Sequence, residues 1–231
     1  MRETQIPSNG VETQNVVATF MTKVYSWMTL ALFITGFIAM YVASSEQLIN
    51  IIFGSKFLFY GLILAEFGLV WYLSARVATL SFTTALTMFI IYSILSGLTL
   101  SCVFLLYTSS SIASTFFITG GTFAIMSLAG FFTKKDLSGF GSIMMMGLIG
   151  VIIATVVNYF LNSSTLNYII SFVGVMVFVG LTAYDTQKLK NIAVQVEGEQ
   201  AKKASIMGAL TLYLDFINLF LYLLRFLGNR R

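Results

Sequence analysis

Glu66, Asp185 and Asp215 sit where a carboxylate is costly, within or at the edge of long apolar runs. A charged side chain in hydrocarbon costs several kcal/mol unless it is neutralised, paired or hydrated, so such residues by default mark ion or proton paths. The plainer alternative is a structural ion pair. Asp215 is flanked by Thr211-Leu-Tyr-Leu and Phe-Ile-Asn-Leu-Phe, which makes burial at lipid depth hard to avoid. Thr211 lies four residues before it and Asn218 three after, on the same face of a helix. That polar stripe on a greasy helix should face the interior of a bundle, and Asn218 and Glu66 are candidates for an ion path. Asp185 closes another apolar run, Gly180-Leu-Thr-Ala-Tyr-Asp-Thr-Gln-Lys. Its plainer reading is an interfacial acid near Lys188 and Lys190.

The sequence contains no histidine, the side chain that ordinarily titrates near neutral pH and the commonest transition-metal ligand. Proton chemistry then falls to carboxylates. A metal should prefer oxygen ligands, with Asp185 and Asp215 the candidates. Two carboxylates at close range cannot easily both ionise, and such a pair titrates as a unit. Asp185 and Asp215 at similar depth would therefore give pH sensitivity near neutrality without histidine. Arg76, expected on the same side of the membrane as Asp185, could pair with one of them. Glu66 precedes Arg76 by ten residues, roughly 15 Å along a helix, which puts Glu66 near mid-membrane and Arg76 near the surface.

The elements that must position these groups follow from composition. The hydrophobic fraction is 58% and the charged fraction 10%, against about 25% charged in an ordinary soluble domain. The apolar residues are gathered into runs close to the roughly 20 residues that a spanning helix needs. Seven such segments are read: Val24–Ser44, Phe57–Ser74, Thr84–Tyr107, Ile112–Phe132, Phe140–Leu161, Leu166–Tyr184 and Met207–Leu227. The expected fold is all-α, a polytopic bundle of seven transmembrane helices. Residues 1–20 are expected to be a polar cytoplasmic segment and residues 21–231 a single transmembrane domain. Met1 to Gln14 lack a basic start followed by a cleavage site, so the first apolar helix is expected to direct insertion.

Most connections are short, which favours antiparallel neighbours. The exception, Thr186–Ile206, is polar and rich in helix formers. It suggests that helices six and seven continue beyond the membrane, which would let Asp185 and Asp215 meet. Gly120, Gly121, Gly147, Gly150, Gly174 and Gly180 lie inside segments and read as close-packing sites, with Gly120-Gly121 the weakest point in a helix. Met144–Met146 and Cys102 read as core filling. No phosphate-binding glycine loop and no nucleic-acid signature is present.

Arg2, Lys23, Arg76, Lys134, Lys135 and the lysines at 188, 190, 202 and 203 fall on one side of the expected topology, and Lys56 on the other. The positive-inside rule then places the N-terminus in the cytoplasm. Seven full spans put Arg230 and Arg231 outside. A re-entrant last segment would return them, but orientation is usually set by the early helices, and seven spans are preferred.

Beyond residue 20 the chain resembles the Bax inhibitor-1 family of transmembrane Bax-inhibitor-motif proteins. The resemblance rests on an ordered set: Ala65-Glu66 through Ser74-Ala75-Arg76, Gly97-Leu-Thr-Leu-Ser, Phe116-Phe-Ile-Thr-Gly-Gly, Thr133-Lys-Lys-Asp-Leu-Ser and Gly147-Leu-Ile-Gly. Gly180-Leu-Thr-Ala-Tyr-Asp-Thr-Gln and Leu212-Tyr-Leu-Asp-Phe-Ile-Asn-Leu-Phe complete it. The resemblance implies seven helices with the last near the centre, and a pH-sensitive calcium leak. It implies a paired-aspartate sensor, falling on Asp185 and Asp215, and an arginine latch at Arg76. The Glu66 position also matches a family acid. A short chain of this kind suits a bacterial member in the cytoplasmic (inner) membrane. Calcium or another cation is then the transported or bound ion, with no other cofactor.

Two other functions compete. A non-conducting regulator or scaffold would bind membrane protein partners, a protease among them, as some relatives are thought to. An intramembrane enzyme is the third, because aspartyl proteases of the membrane pair Tyr-Asp with Gly-x-Gly-Asp. Tyr184-Asp185 fits that pattern, but Asp215 follows Tyr-Leu, so no enzyme is expected.

Overall fold

The structure is a computed structural model. It describes residues 8–77 and 79–231, with side chains from residue 12; Arg2 and Pro7 lie outside the described residues. The described chain forms α1 (Ser8–Ala43), α2 (Glu46–Gly54), α3 (Lys56–Arg76), α4 (Phe82–Leu106), α5 (Ser109–Phe132), α6 (Ser138–Leu161), α7 (Ser164–Ala193) and α8 (Gly198–Leu227). All but α2 are long and apolar enough to cross a bilayer, giving seven candidate spans. The protein is an all-α integral membrane protein.

The helix starts are written in the short polar connections. Ser45, Ser55, Ser81, Thr108 and Ser163 precede α2, α3, α4, α5 and α7, and each side-chain oxygen accepts from a backbone N–H in the first turn. Such caps satisfy donors that a helix cannot pair internally. At α6 the work passes to Asp136, whose Oδ1 accepts from the N–H and the hydroxyl of Ser138. Asn162 ends α6 in the left-handed region, at φ 49°, which asparagine tolerates better than most residues.

Two elements differ from the sequence reading. Residues 8–20, expected as part of a separate polar segment, are helical and run without a break into the first span. The connection 45–56 holds the nine-residue α2, too short to register as a span. The expected cytoplasmic extensions are present: α7 continues to Ala193 and α8 begins at Gly198. α5 passes Gly120-Gly121 without interruption.

α8 packs against α1, α4, α5 and α7, whereas α3 packs on α2 and α4, and α6 on α7. α8 is accordingly the most buried span and α3 the least. Tyr213, Leu212 and Leu219 of α8 are fully buried. Phe67 and Trp71 of α3 and Ile153 and Phe160 of α6 point outward, as helices facing lipid require. Of the glycines read as packing sites, Gly147, Gly174 and Gly180 abut Val177, Tyr222 and Met144, while Gly120, Gly121 and Gly150 face open space.

α8 is one unbroken helix, so the last segment is not re-entrant. Its end returns to the α4–α5 turn. Thr108 N–H donates to the Asn229 carbonyl (3.2 Å) and Arg231 N–H to the Leu106 carbonyl (3.0 Å). Asn229 N–H donates to Ser111 Oγ at 3.0 Å. The C-terminus and the α4–α5 turn thus share one end of the bundle, and the α5–α6 and α7–α8 turns lie at the other.

Candidate functional site

The extensions of α7 and α8 bring Asp185 and Asp215 together. Their carboxyls face each other within hydrogen-bonding reach. Asp215 is 5% exposed and Asp185 half-buried. One oxygen of Asp215, Oδ2, is fully buried and has no hydrogen-bond partner among the described residues. An unpartnered carboxylate oxygen at that depth is expensive. A proton on the pair, or a cation between its oxygens, is what such an arrangement is suited to accept.

A cavity of about 480 Å³ adjoins the pair, bounded by α7, α8 and the residue that follows α3. Asp185, Lys188, Lys203, Met207, Thr211 and Val77 are among its walls. The cavity lies toward the end of the bundle that carries the α7–α8 turn, and links Asp185 to that surface. Thr211 takes the inward position that the polar stripe required. Its hydroxyl also donates to the Met207 carbonyl at 3.1 Å.

Arg76 is the last residue of α3 and is exposed. Among the described residues it makes no ion pair with either aspartate; the ion pair found there is Lys202–Glu199 at 3.7 Å, between exposed side chains. Arg76 nonetheless stands one residue from Val77, on the cavity wall. Asn218 turns its amide to its own helix, donating to the Leu214 carbonyl at 2.8 Å. No group of three or more acidic, cysteine or histidine side chains suited to a metal occurs among the described residues. Calcium takes six to eight oxygens, and the two carboxyls supply at most four.

Glu66 occupies a different polar cluster. Thr99 Oγ1 donates to its Oε1 at 2.8 Å and Ser96 Oγ to its Oε2 at 3.4 Å. Nearby, Thr35 Oγ1 donates to the Ser93 carbonyl at 2.8 Å. That commits the threonine proton, so the Tyr213 hydroxyl, 2.8 Å away, donates to Thr35. Hydroxyls from α1, α4 and α8 thereby satisfy polar groups that lipid could not.

Of the groups that hold Asp185 in place, the sequence pointed only to Lys190, and that as a nearby charge. Gln187 spans the α5–α6 turn: its Oε1 accepts from Leu137 N–H (2.8 Å) and its Nε2 donates to the Lys135 carbonyl (2.8 Å). Lys190 Nζ donates to the Phe131 carbonyl at 2.7 Å, at the end of α5. Thr186 Oγ1 donates to the Thr182 carbonyl (2.8 Å) and accepts from Ser127 Oγ (2.9 Å), which is itself bonded to the Tyr25 hydroxyl. Gly130 of α5 lies directly against the Ala183 backbone, and Gly141 of α6 against the Tyr184 ring. The other signal in the sequence was the run of polar types in Tyr-Asp-Thr-Gln at the end of an apolar helix.

The model of the family described as "Inhibitor of apoptosis-promoting Bax1" matches residues 17–231. The inner membrane protein YbhL of Escherichia coli is 51% identical over 216 residues, covering 92% of each chain. An uncharacterised protein of Rickettsia prowazekii is 47% identical over 215 residues, covering 92% of this chain and 90% of its own. One from Deinococcus radiodurans is 43% identical over 228 residues, covering 98% and 97%. With the motifs of α3 to α8 in order and the match running through all seven spans, the chain belongs to the Bax inhibitor-1 family.

Proposed function

We propose that the protein is a pH-sensitive leak for calcium or a related cation, gated by the Asp185–Asp215 pair. The observation that carries this reading is the pair itself: two facing carboxyls on adjacent spans, one oxygen buried without a partner, beside a cavity that leads outward. A shared proton neutralises the pair, and its loss leaves charge that attracts a cation or a guanidinium. Arg76 is the latch in this scheme. Its position next to the cavity wall supports this role, in which the guanidinium reaches a carboxylate in the closed state. Protonation weakens that contact and so changes the populations of the two states through differential binding. Glu66 and Asn218 are assigned to the path beyond the pair.

The relative from Escherichia coli is named an inner membrane protein, and the same location is proposed for this chain. The N-terminus and the lysine-rich turns then lie in the cytoplasm. No catalytic role is assigned, since Asp215 lacks the Gly-x-Gly context of membrane aspartyl proteases.

Purified protein in liposomes loaded with a calcium-sensitive dye tests the proposal. Protein-dependent entry supports the leak. Peptide cleavage without entry would support an enzyme, and neither, with the fold intact, a scaffold for membrane partners.

A further inference from the structure

We propose that Gln187 is a positioning residue that locks α5, α6 and α7 into one body carrying Asp185, so that the carboxyl pair opens and closes by movement of α8 against that body. The proposal rests on the reading of the pair as a gate.

The polar ties of α7 run toward α5 and α6. Gln187 makes two hydrogen bonds to the turn between them, at Lys135 and Leu137. Lys190 caps α5 at Phe131, and Ser127 joins Thr186. Gly130 and Gly141 remove the side chains that would hold α5 and α6 away from Ala183 and Tyr184. The residues on either side of Asp185 are therefore fixed to the same two helices. Hydrogen bonds to backbone groups at a turn fix register as well as distance, since each has a narrow range of length and angle.

Apart from the aspartate pair itself, the contact of α7 with α8 is of another kind. Gly174 lies under the Tyr222 ring, Phe178 stacks on the same ring, and Leu189 packs on Gly208. Apolar packing of this type permits the small sliding movements by which packed helices shear. α8 has its own polar tie elsewhere, from Tyr213 to Thr35 of α1. Asp185 is thus held through α5 and α6 and Asp215 through α1, to which the α5 side is also joined at one point, by the Tyr25 hydroxyl on Ser127. The charged groups around Asp185 divide in the same way: Lys188 belongs to α7, Asp215 and Lys203 come from α8, and Arg76 stands beside the cavity at the end of α3.

Spin-label distances in proteoliposomes test this without reference to flux. In a Cys102→Ser background, labels at Lys134→Cys and Asn191→Cys report the α5–α6 turn against α7. Labels at Lys134→Cys and Lys202→Cys report it against α8. All three sites are exposed. In otherwise wild-type protein, the first distance should be the same at acid and alkaline pH, and the second should shift. Gln187→Ala should broaden the first distribution. Gln187→Glu, which keeps the acceptor for Leu137 N–H but as a carboxylate cannot donate to the Lys135 carbonyl, should give an intermediate width. A first distance that moves with pH as much as the second overturns the rigid body. An unchanged first distribution in Gln187→Ala overturns the role of Gln187. If neither distance responds to pH, the movement of α8 is overturned together with the gate, while the Gln187→Ala result still decides whether the clamp exists.

Discussion

Asp215 and Arg76 show how much a single residue type discloses. An acid in the middle of Thr-Leu-Tyr-Leu and Phe-Ile-Asn-Leu-Phe has nowhere to go but a bundle interior, and its burial was legible from the sequence for that reason. The same logic does not extend to partners. Gln187 finds the Lys135 carbonyl across 52 positions and Tyr213 finds Thr35 across 178, and no local pattern encodes such pairings. Arg76 is the residue whose proposed role depends most on movement, because it is exposed and makes no ion pair with either aspartate among the described residues. If it closes onto a carboxylate, Arg76→Ala should raise the resting calcium flux at equal protein incorporation. Arg76→Lys should restore closure in part, since an ammonium lacks the bidentate fork of guanidinium. Flux unchanged in Arg76→Ala would remove the residue from the gate and leave it an anchor of α3 at the headgroups.

Among the elements, the six apolar runs after the first were legible to within a turn, because hydropathy fixes a span directly, except where α7 runs on past Tyr184 and α8 begins before Met207 in the polar stretch between them. α2 was not, being nine residues long with no span to mark it, and neither was the start of α1, where polar residues continue an apolar helix into water. Glycine spacing disclosed close approach at α7 but missed Gly130. Gly130→Ala would drive a methyl into the Ala183 backbone, and overpacking of this sort typically costs about 1–3 kcal/mol. Gly120→Ala meets open space, so helix propensity should leave it neutral or stabilised by up to ~1 kcal/mol. The melting temperature in detergent should fall for Gly130→Ala and hold or rise for Gly120→Ala, and equal losses would contradict the packing assigned to Gly130. Asp136 makes a separate, pH-dependent contribution at the start of α6. The Ser138 hydroxyl and N–H hold its carboxyl below the usual range. The stabilisation is therefore present above the ordinary carboxylate pKa of about 3.9 and is lost as pH falls through the lowered value. Asp136→Ala should lower the melting temperature near neutral pH and have little effect in strong acid. A decrement of the same size at every pH would remove the cap from the explanation.

The whole molecule is a bundle built around α8, with a lysine-rich end that carries the α5–α6 and α7–α8 turns and an opposite end where the C-terminus meets the α4–α5 turn. The number of spans and their order were legible because lipid imposes one length and one composition on each. The end of the bundle at which the chain finishes was not, since Arg225, Arg230 and Arg231 oppose the earlier charges; the unbroken α8 and the hydrogen bonds at Asn229 and Arg231 put it beside the α4–α5 turn. Single cysteines at Lys135 and Glu199, in a Cys102→Ser background, should resist a membrane-impermeant thiol reagent applied to intact cells, and one at Asn229 should react. Labelling of Lys135→Cys from outside would invert the orientation. The claim on which the functional reading turns is that Asp185 and Asp215 act as one titrating unit on a cation path. The measurement that reaches it most directly is calcium entry into liposomes across a range of pH, for the wild type, Asp185→Asn, Asp215→Asn and the double variant at equal incorporation. The wild-type rate should depend on pH. Each single variant should flatten that dependence, and the double variant should do no more than either alone, because each removes the same coupled titration. Wild-type pH dependence surviving in the double variant would contradict the sensor, and entry no faster than in protein-free liposomes at every pH would contradict the leak.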